Sequence, residues 1–353
     1  MRARGRQVRG DSRISVAGRT PQKGPSHLFP LTANLQSMFI GHGLIAFAIV
    51  TGLASIRGWD AERALTVGLV AGAFGLAPDV DILYAPVGLI GASGLLEAEA
   101  SFWAAGNAVH RGMTHSLLVG GAAAAAAGLW AAETKPARAL AAAIGTGIVA
   151  VGAGDGLLAA VILAAFVATV FAIGSVSAQR AIAARHVGAA AAVGLLSHPF
   201  GDLFTGGPPA FLYPLDVTLV AERVVLHPDP TMHLLAAFGL EVATMWAAAV
   251  VYLHATDRRM ADHVSPHATL GVGFAAAALV LPSPTLESPY RFVFGALGVG
   301  MVSGVGRPRR LLAVLSRRAA AARLTALDAV LTALAALTTA LVAYGTLYLA
   351  VRF

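Results

Sequence analysis

The fold of this chain is decided by apolar stretches such as residues 156–175, which read GLLAAVILAAFVATVFAIGS. A helix of this length rises about 30 Å, which is the thickness of the hydrocarbon core of a bilayer. The rest of the chain has the same character, since 57% of its 353 residues are hydrophobic and 12% are charged. A soluble domain carries about twice that charged fraction. The sequence therefore predicts a multi-pass, all-α membrane protein.

Similar apolar runs predict a bundle of about ten transmembrane helices, within a range of eight to ten, with a polar site at helix ends on one face. The predicted spans are 38–55, 64–78, 114–133, 139–153, 156–175, 186–201, 231–253, 268–282, 290–306 and 325–350. Residues 1–37 differ, because seven basic residues and one acidic residue lie there without an amphipathic period. We expect a basic, disordered tail, and we hypothesise that it is an upstream extension of a chain that starts at Met38.

Four short polar clusters lie at the ends of the apolar runs. Their histidines and carboxylates are His42, Asp79, Asp81, His110, His115, His198 and Asp202. In the ten-span order all four clusters fall on the same face of the membrane, which predicts one convergent site. The chain contains no cysteine, so a metal ion in that site would be held by nitrogen and oxygen ligands.

The aspartates Asp79 and Asp81 follow Pro78 at the end of the second predicted span. On a regular helix two such residues point about 200° apart, but at a proline-marked helix end both carboxylates can turn towards one ion. Close carboxylates repel each other unless a cation or a proton lies between them. The alternative is a solvated Pro-Asp turn.

The string His110-Arg111-Gly112-Met113-Thr114-His115-Ser116 places two imidazoles beside a guanidinium. An arginine next to metal-binding histidines suits an anionic substrate oxygen, such as that of a phosphate. The alternative is an interfacial helix start, in which Arg111 extends to the headgroups and Thr114 or Ser116 caps the third span.

The residues His198 and Asp202 are four apart, which places them on one face of the sixth predicted helix. This spacing suits a pair of metal ligands, or a carboxylate that orients a histidine. The turn-rich loop that follows, with Thr205, Gly206 and Pro214, could close over the site. The alternatives are an interfacial connection here and, for His42, a polar anchor at a helix start.

These motifs resemble the YdjM-like family of inner-membrane, metal-dependent hydrolases over about residues 38–216. The matching elements, in order, are His42, the string 78–81, the string 110–116, the string Ser197-His198-Pro199-Phe200-Gly201-Asp202, the glycines 206–207 and Pro214. The chain departs from the family pattern at Ile82, where a further histidine is expected. The resemblance implies a metal-dependent hydrolase domain at 38–216, with additional C-terminal transmembrane helices at 217–353.

Motifs and resemblance lead to one mechanistic hypothesis. One or two divalent ions, with Zn²⁺, Mn²⁺ or Fe²⁺ favoured by the mixed ligands, are held by the seven histidines and aspartates named above. A water whose pKa falls to about 7 attacks an ester or phosphoester of an amphiphilic or lipid-like substrate, and Arg111 neutralises the developing charge. The candidate catalytic residues are Arg111, Thr114 and Asp202.

Two other classes of function remain open. A divalent-metal or proton-coupled transporter would use the same ligands for transit, but it needs polar groups that continue towards mid-membrane. A membrane scaffold would recruit a partner through the basic loop 307–323. The expected partner is the lipid bilayer, and no nucleic-acid module is recognisable. A looser group, His227, Asp229 and His233, falls on the same face as the clusters and could assist.

Charge asymmetry indicates which side of the membrane the site faces. In the ten-span order, 14 of the 25 basic residues fall on the face opposite the clusters. The positive-inside rule therefore predicts an external or periplasmic site in the plasma or inner membrane. The seven basic residues of the N-terminal tail argue the other way.

Overall fold

The structure is a computed structural model that describes residues 39–204, 206–306 and 319–352. Within these ranges the chain is helical and contains no β-strand. The α-helices are α1 (Phe39–Ile56), α2 (Ala61–Leu76), α3 (Leu95–Val109), α4 (Leu117–Ala131), α5 (Lys135–Gly154), α6 (Leu157–Gln179), α7 (Ala184–Asp202), α8 (Pro230–Ala255), α9 (Ala277–Val280), α10 (Tyr290–Val305) and α11 (Ala319–Arg352). Four 3-10 segments lie between them, at Ala77–Leu89, Met113–His115, Met260–Asp262 and Pro266–Ala276.

The described helices confirm the all-helical membrane class. Five stretches are long and apolar enough to cross a bilayer: Ala61–Leu89, Lys135–Gly154, Leu157–Gln179, Pro230–Ala255 and Ala326–Arg352. Shorter apolar helices lie at Ile40–Ile56, Leu117–Ala131, Pro266–Val280 and Arg291–Val305. A helical segment overlaps each of the ten predicted spans, but the count of ten crossings stays a prediction. The predicted N-terminal tail and most of the basic loop lie outside the described residues.

Side-chain caps fix where several helices begin. The Ser116 hydroxyl accepts hydrogen bonds from the backbone N–H groups of Leu118 and Val119 at the start of α4. Asp229 caps α8 through the N–H of Met232 at 2.9 Å. Such caps satisfy donors that have no partner inside the helix. Of the two alternatives for the cap of α4, Ser116 is therefore the residue that fills the role.

Glycines allow α2 to pack closely against α1 and α7. A Cβ at Gly194 on α7 would lie 2.5 Å from the carbonyl oxygen of Ala71 and 2.6 Å from the amide of Gly75. A Cβ at Gly43 on α1 would lie 3.0 Å from the carbonyl oxygen of Gly72. Small residues permit this backbone approach in membrane bundles. The close packing brings the ends of three helices together where the polar clusters lie.

Two large clusters of buried apolar side chains lie among the described helices, beside smaller ones that involve α1. One, formed mainly by α2, α4, α6 and α7, contains Phe74, Leu163 and Phe166. The other, around α8, α10 and α11, includes the contacting rings of Phe292 and Tyr344. The polar clusters lie at the end of the first core. The chain beyond α8 contributes to the second.

Candidate metal centre

The structure brings the four polar clusters together at one end of the first core. The side chains come from the start of α1, the 3-10 segment after α2, the loop after α3, the short 3-10 segment before α4, and the end of α7. None of the predicted site residues is more than 9% exposed: His42, Asp79, Asp81, His110, Arg111, Thr114, His115, His198 and Asp202. The convergence that the span order predicts is therefore present in the fold.

Asp81 holds two neighbouring side chains in place. Its Oδ1 lies 2.8 Å from Nδ1 of His110, and its Oδ2 accepts a hydrogen bond from the Thr114 hydroxyl at 2.8 Å. Because a carboxylate only accepts, the Nδ1 of His110 carries the hydrogen in this pair. The lone pair of His110 is then on Nε2, which lies 3.9 Å from Oδ1 of Asp79.

The hydrogen bonds of Thr114 show in the same way which ring nitrogen of His115 carries the hydrogen. The Thr114 hydroxyl gives its hydrogen to Asp81, so its oxygen accepts from Nδ1 of His115, which lies 2.9 Å away. The lone pair of His115 is therefore on Nε2. Asp81 therefore contacts the Nδ1 side of the His110 and His115 rings and Asp79 the Nε2 side, whereas the proline-marked helix end predicts that both carboxylates turn towards one ion.

A backbone carbonyl group orients the ring of His198 in the same way. Its Nδ1 lies 2.7 Å from the carbonyl oxygen of Gly75, which can only accept. The lone pair on Nε2 then faces Nε2 of His115 at 3.0 Å. Two lone pairs this close repel each other unless a positive charge lies between them. Sequence reasoning missed Gly75, because a backbone acceptor leaves no signal in residue type.

The carboxylates of Asp79 and Asp202 supply further acceptor atoms close to the Nε2 atoms of His115 and His198. Neither oxygen of Asp79 has a hydrogen-bond partner among the described residues, and its Oδ1 lies 3.4 Å from Nε2 of His198. Asp202 is held on one side only, with Oδ1 3.3 Å from Nε2 of His42 and 3.5 Å from Nε of Arg111. Its Oδ2 has no described hydrogen-bond partner and lies 3.3 Å from Nε2 of His115.

The distances fit the coordination shell of a small divalent ion. A tetrahedral ion with bonds of about 2 Å separates its ligand atoms by about 3.3 Å. The Nε2 atoms of His115 and His198 lie 3.0 Å apart, and each lies 3.3 to 3.8 Å from Asp79 Oδ1 and Asp202 Oδ2. Two buried groups of three could each hold a metal ion, His42 with His198 and Asp202, and Asp79 with His110 and His115.

The charges of the cluster lead to the same conclusion. With its histidines neutral, it contains three buried carboxylates and one buried guanidinium, which leaves two negative charges uncompensated. Buried carboxylates without compensation cost several kcal/mol each. A single divalent cation would balance this charge, and the oxygens of Asp79 have no hydrogen-bond partner among the described residues.

Arg111 lies at the edge of the cluster in an unusual backbone conformation. Its φ of 64° is in the left-handed region, where non-glycine residues are uncommon. Its carbonyl oxygen accepts a hydrogen bond from the amide of Ala210 at 3.0 Å, and its guanidinium packs directly against Gly206. The loop after α7 thus contacts both the backbone and the side chain of the arginine.

A tether that sequence reasoning missed anchors this loop. The Tyr213 hydroxyl donates to Oδ2 of Asp155 at 2.6 Å, and Asp155 lies in the turn between α5 and α6. The Ser116 hydroxyl donates to the carbonyl oxygen of Tyr213 at 2.7 Å. Burial and the Asp155 carboxylate raise the pKa of Tyr213 to about 12, so the hydroxyl stays protonated at neutral pH.

The looser predicted group has local contacts. Asp229 caps α8 and accepts from the Tyr348 hydroxyl at 3.1 Å. The Nδ1 of His227 accepts from the amide of Asp229, and Nδ1 of His233 accepts from the amide of Leu226. These bonds order the connection into α8. The metal-binding groups identified among the described residues do not include them.

Fold and site together define a class: an integral membrane protein with a buried histidine and carboxylate cluster at the ends of its helices. The chain belongs to the YdjM inner membrane protein family, whose family model matches residues 38–262. The protein is accordingly a multi-pass protein of the inner membrane. None of the curated proteins and none of the solved structures gives a significant match to the chain.

Proposed function

We propose that this protein is a membrane-embedded, metal-dependent hydrolase that acts on a phosphoester of a lipid-like substrate. The observation that carries the proposal is the pair of facing Nε2 atoms of His115 and His198, 3.0 Å apart, flanked by carboxylate oxygens without described partners. Such an arrangement of acceptors is stable with a cation at its centre. Family membership is compatible with this activity.

The proposed ligands of one divalent ion are Asp79, His115, His198 and Asp202. When bound, the ion supplies Lewis-acid polarisation of the substrate and a more acidic water. Other predicted residues orient these ligands through contacts on the side away from the proposed ion. Asp81 orients His115 through Thr114, the carbonyl of Gly75 orients His198, and His42 fixes one oxygen of Asp202.

His110 is the proposed proton acceptor. Its Nδ1 hydrogen is held by Asp81 at 2.8 Å, which keeps Nε2 as the basic nitrogen and stabilises the imidazolium that forms. The same pair of roles, base and orienting carboxylate, recurs in many hydrolases. His110 would take a proton from the attacking water and return it to the leaving oxygen.

Arg111 is the proposed anion-binding residue. Its side chain and that of Asp79 are the least buried of the charged groups in the cluster, at 8% and 9% exposed. A substrate therefore reaches the cluster from the side of these two residues. A guanidinium there can donate to phosphate oxygens and stabilise charge that develops during hydrolysis.

Two single variants separate the proposed roles. In purified protein, His115→Ala should lose bound metal in elemental analysis, whereas His110→Gln should retain it and lose hydrolysis of phosphoester lipids in mixed micelles. His227→Gln, outside the cluster, is the matched control. No metal in the wild type after incubation with Zn²⁺ or Mn²⁺ would refute the metal centre, and equal metal loss in both variants would refute the separate role of His110.

The same preparation distinguishes hydrolysis from transport. Proteoliposomes that accumulate Zn²⁺ or Mn²⁺ with wild-type protein, but not with His115→Ala, would favour the transporter. The four proposed ligands surround the ion, which favours its retention in the site over its passage across the membrane. We therefore expect stoichiometric metal and no accumulation.

A further inference from the structure

The connection between α7 and α8 carries an unusual number of exposed apolar side chains beside the site. Residues 215–225, which we name the apolar segment, read LDVTLVAERVV. Five of its large apolar side chains are 40% to 65% exposed: Leu215, Val217, Leu219, Val224 and Val225. The polar residues between them, including Asp216 and Arg223, are exposed as well. Contiguous exposed apolar groups with a polar rim mark an interaction surface.

Hydrogen bonds place both ends of the apolar segment against the metal centre. Just before it, the carbonyl of Tyr213 accepts from the Ser116 hydroxyl. At its end, the amide of Val224 donates to the carbonyl oxygen of Leu203 at 2.7 Å, and Leu203 directly follows Asp202. The apolar side chains are therefore held next to the site by bonds on either side.

Helix lengths place this region near the lipid rather than far out in water. The helices α2 and α4, which lead to and from the site, have 16 and 15 residues. They rise about 24 Å and 22 Å, which is less than the hydrocarbon thickness of about 30 Å. The α2 stretch reaches crossing length only with the 3-10 segment that follows it, and Asp79 lies in that segment. The 3-10 segment that continues α2 past Asp79 exposes Leu83 and is followed by exposed Ile90. Exposed apolar side chains therefore also follow Asp79 along the chain.

We propose that the apolar segment inserts into the bilayer at the boundary between headgroups and acyl chains, and that lipid substrate enters the site laterally beside it. The route of entry rests on the proposed hydrolase function, whereas the insertion does not. The segment is irregular backbone, which needs water or headgroups as hydrogen-bond partners and so cannot lie in the hydrocarbon core. A boundary position satisfies both its backbone and its apolar side chains.

Spin labelling tests the insertion directly. The chain contains no cysteine, so Leu219→Cys gives a single labelling site. Arg258→Cys, in the exposed turn after α8, is the control. In nanodiscs of phosphatidylethanolamine and phosphatidylglycerol, the nitroxide at 219 should collide more with oxygen than with a water-soluble nickel chelate. Position 258 should show the reverse. The same preference for the chelate at both positions would overturn the insertion.

Activity tests the route of entry. The double variant Val217→Asp/Leu219→Asp should hydrolyse phospholipid in vesicles about tenfold more slowly or worse, while hydrolysis of water-soluble p-nitrophenyl phosphate changes less than about twofold. Asp216→Asn/Glu222→Gln is the control. An equal loss on both substrates, or no loss on either, would overturn lateral entry. If the wild type hydrolyses neither substrate, the proposed function and lateral entry both fail, and the spin-label result still decides the insertion.

Discussion

The Nε2 atoms of His115 and His198 lie 3.0 Å apart, and the Nδ1 hydrogen of each ring is committed to an acceptor on its far side. His115 is fixed through Thr114 and Asp81, and His198 through the carbonyl of Gly75. Both rings therefore present lone pairs to the same point. Gly75 lies on α2 and Asp81 in the 3-10 segment that continues it, so the position of α2 affects the orientation of both rings.

Asp81→Asn should weaken metal binding without removing a proposed ligand. An asparagine offers one acceptor oxygen, whereas His110 and Thr114 both donate to this side chain. The side-chain NH2 group of the asparagine would face one of these donors and could not accept its hydrogen. A histidine ring would then lose its fixed orientation. We expect a loss in metal affinity of about 10- to 100-fold, measured by competition with a chromophoric chelator. Asp216→Asn is the exposed control, and equal affinities in wild type and Asp81→Asn would contradict the orienting role.

Gly206→Ala should displace Arg111. A Cβ at position 206 would overlap the guanidinium, whereas nothing lies within 4 Å of a Cβ at Gly207. The neighbouring variant Gly207→Ala is therefore a matched control. We expect the affinity for inorganic phosphate, measured by calorimetry on metal-loaded protein, to fall about tenfold in Gly206→Ala. Unchanged metal content in both variants would show that the ligands stay in place, and unchanged phosphate affinity would exclude Arg111 as the anion site.

Much of this arrangement could be predicted from the sequence. The parts that could not be predicted depend on contacts that form only in the folded chain. Uncharged runs such as residues 156–175 predict a helix at α6, and the ten-span order places His42 and Asp202 at the same face. Their observed separation of 3.3 Å agrees with that placement. Backbone acceptors such as Gly75 and the tether from Tyr213 to Asp155 depend on tertiary packing, which residue spacing does not encode.

The different contacts of Asp79 and Asp81 could not be predicted from the sequence either. The sequence places both at a proline-marked helix end, where either can turn towards an ion. In the fold, both lie in the 3-10 segment Ala77–Leu89, where Asp81 contacts two donors, His110 and Thr114, and Asp79 has no hydrogen-bond donor among the described residues. That difference depends on the position of Thr114, which follows α3 much later in the chain.

Gly194→Ala should destabilise the crossing of α2 and α7. Its Cβ would lie 2.5 Å from the carbonyl oxygen of Ala71, so the helices must separate. The expected loss is about 1–3 kcal/mol, and His198, one turn further along α7, should lose its bond to Gly75. Gly147→Ala on α5 is the control, because nothing lies within 4 Å of its Cβ. Thermal unfolding in detergent, followed by tryptophan fluorescence, measures both. Equal midpoints would contradict the tight crossing.

Removal of the metal should lower the thermal midpoint of the wild type. A ligand that binds only the folded state stabilises it by about 2.7 kcal/mol at 100 times its dissociation constant. Addition of a chelator should therefore lower the unfolding midpoint, and Zn²⁺ or Mn²⁺ should restore it. The His115→Ala variant should show no such shift. A wild type that is indifferent to both chelator and metal would contradict the metal centre.

Tyr213→Phe should loosen the loop that holds Arg111. The variant removes the 2.6 Å hydrogen bond to Asp155, and we expect a loss of about 1 kcal/mol. Since the pKa of Tyr213 is raised to about 12, this contribution is fully present below a pH of about 10, the ordinary pKa of tyrosine, and is lost as the pH rises through about 12. The difference between the ultraviolet pH titrations of wild type and Tyr213→Phe isolates this residue. In Asp155→Asn the same titration should move down towards a pKa of about 10, because the carboxylate no longer opposes ionisation. A Tyr213 that titrates near 10 in the wild type would show that the tether is not formed.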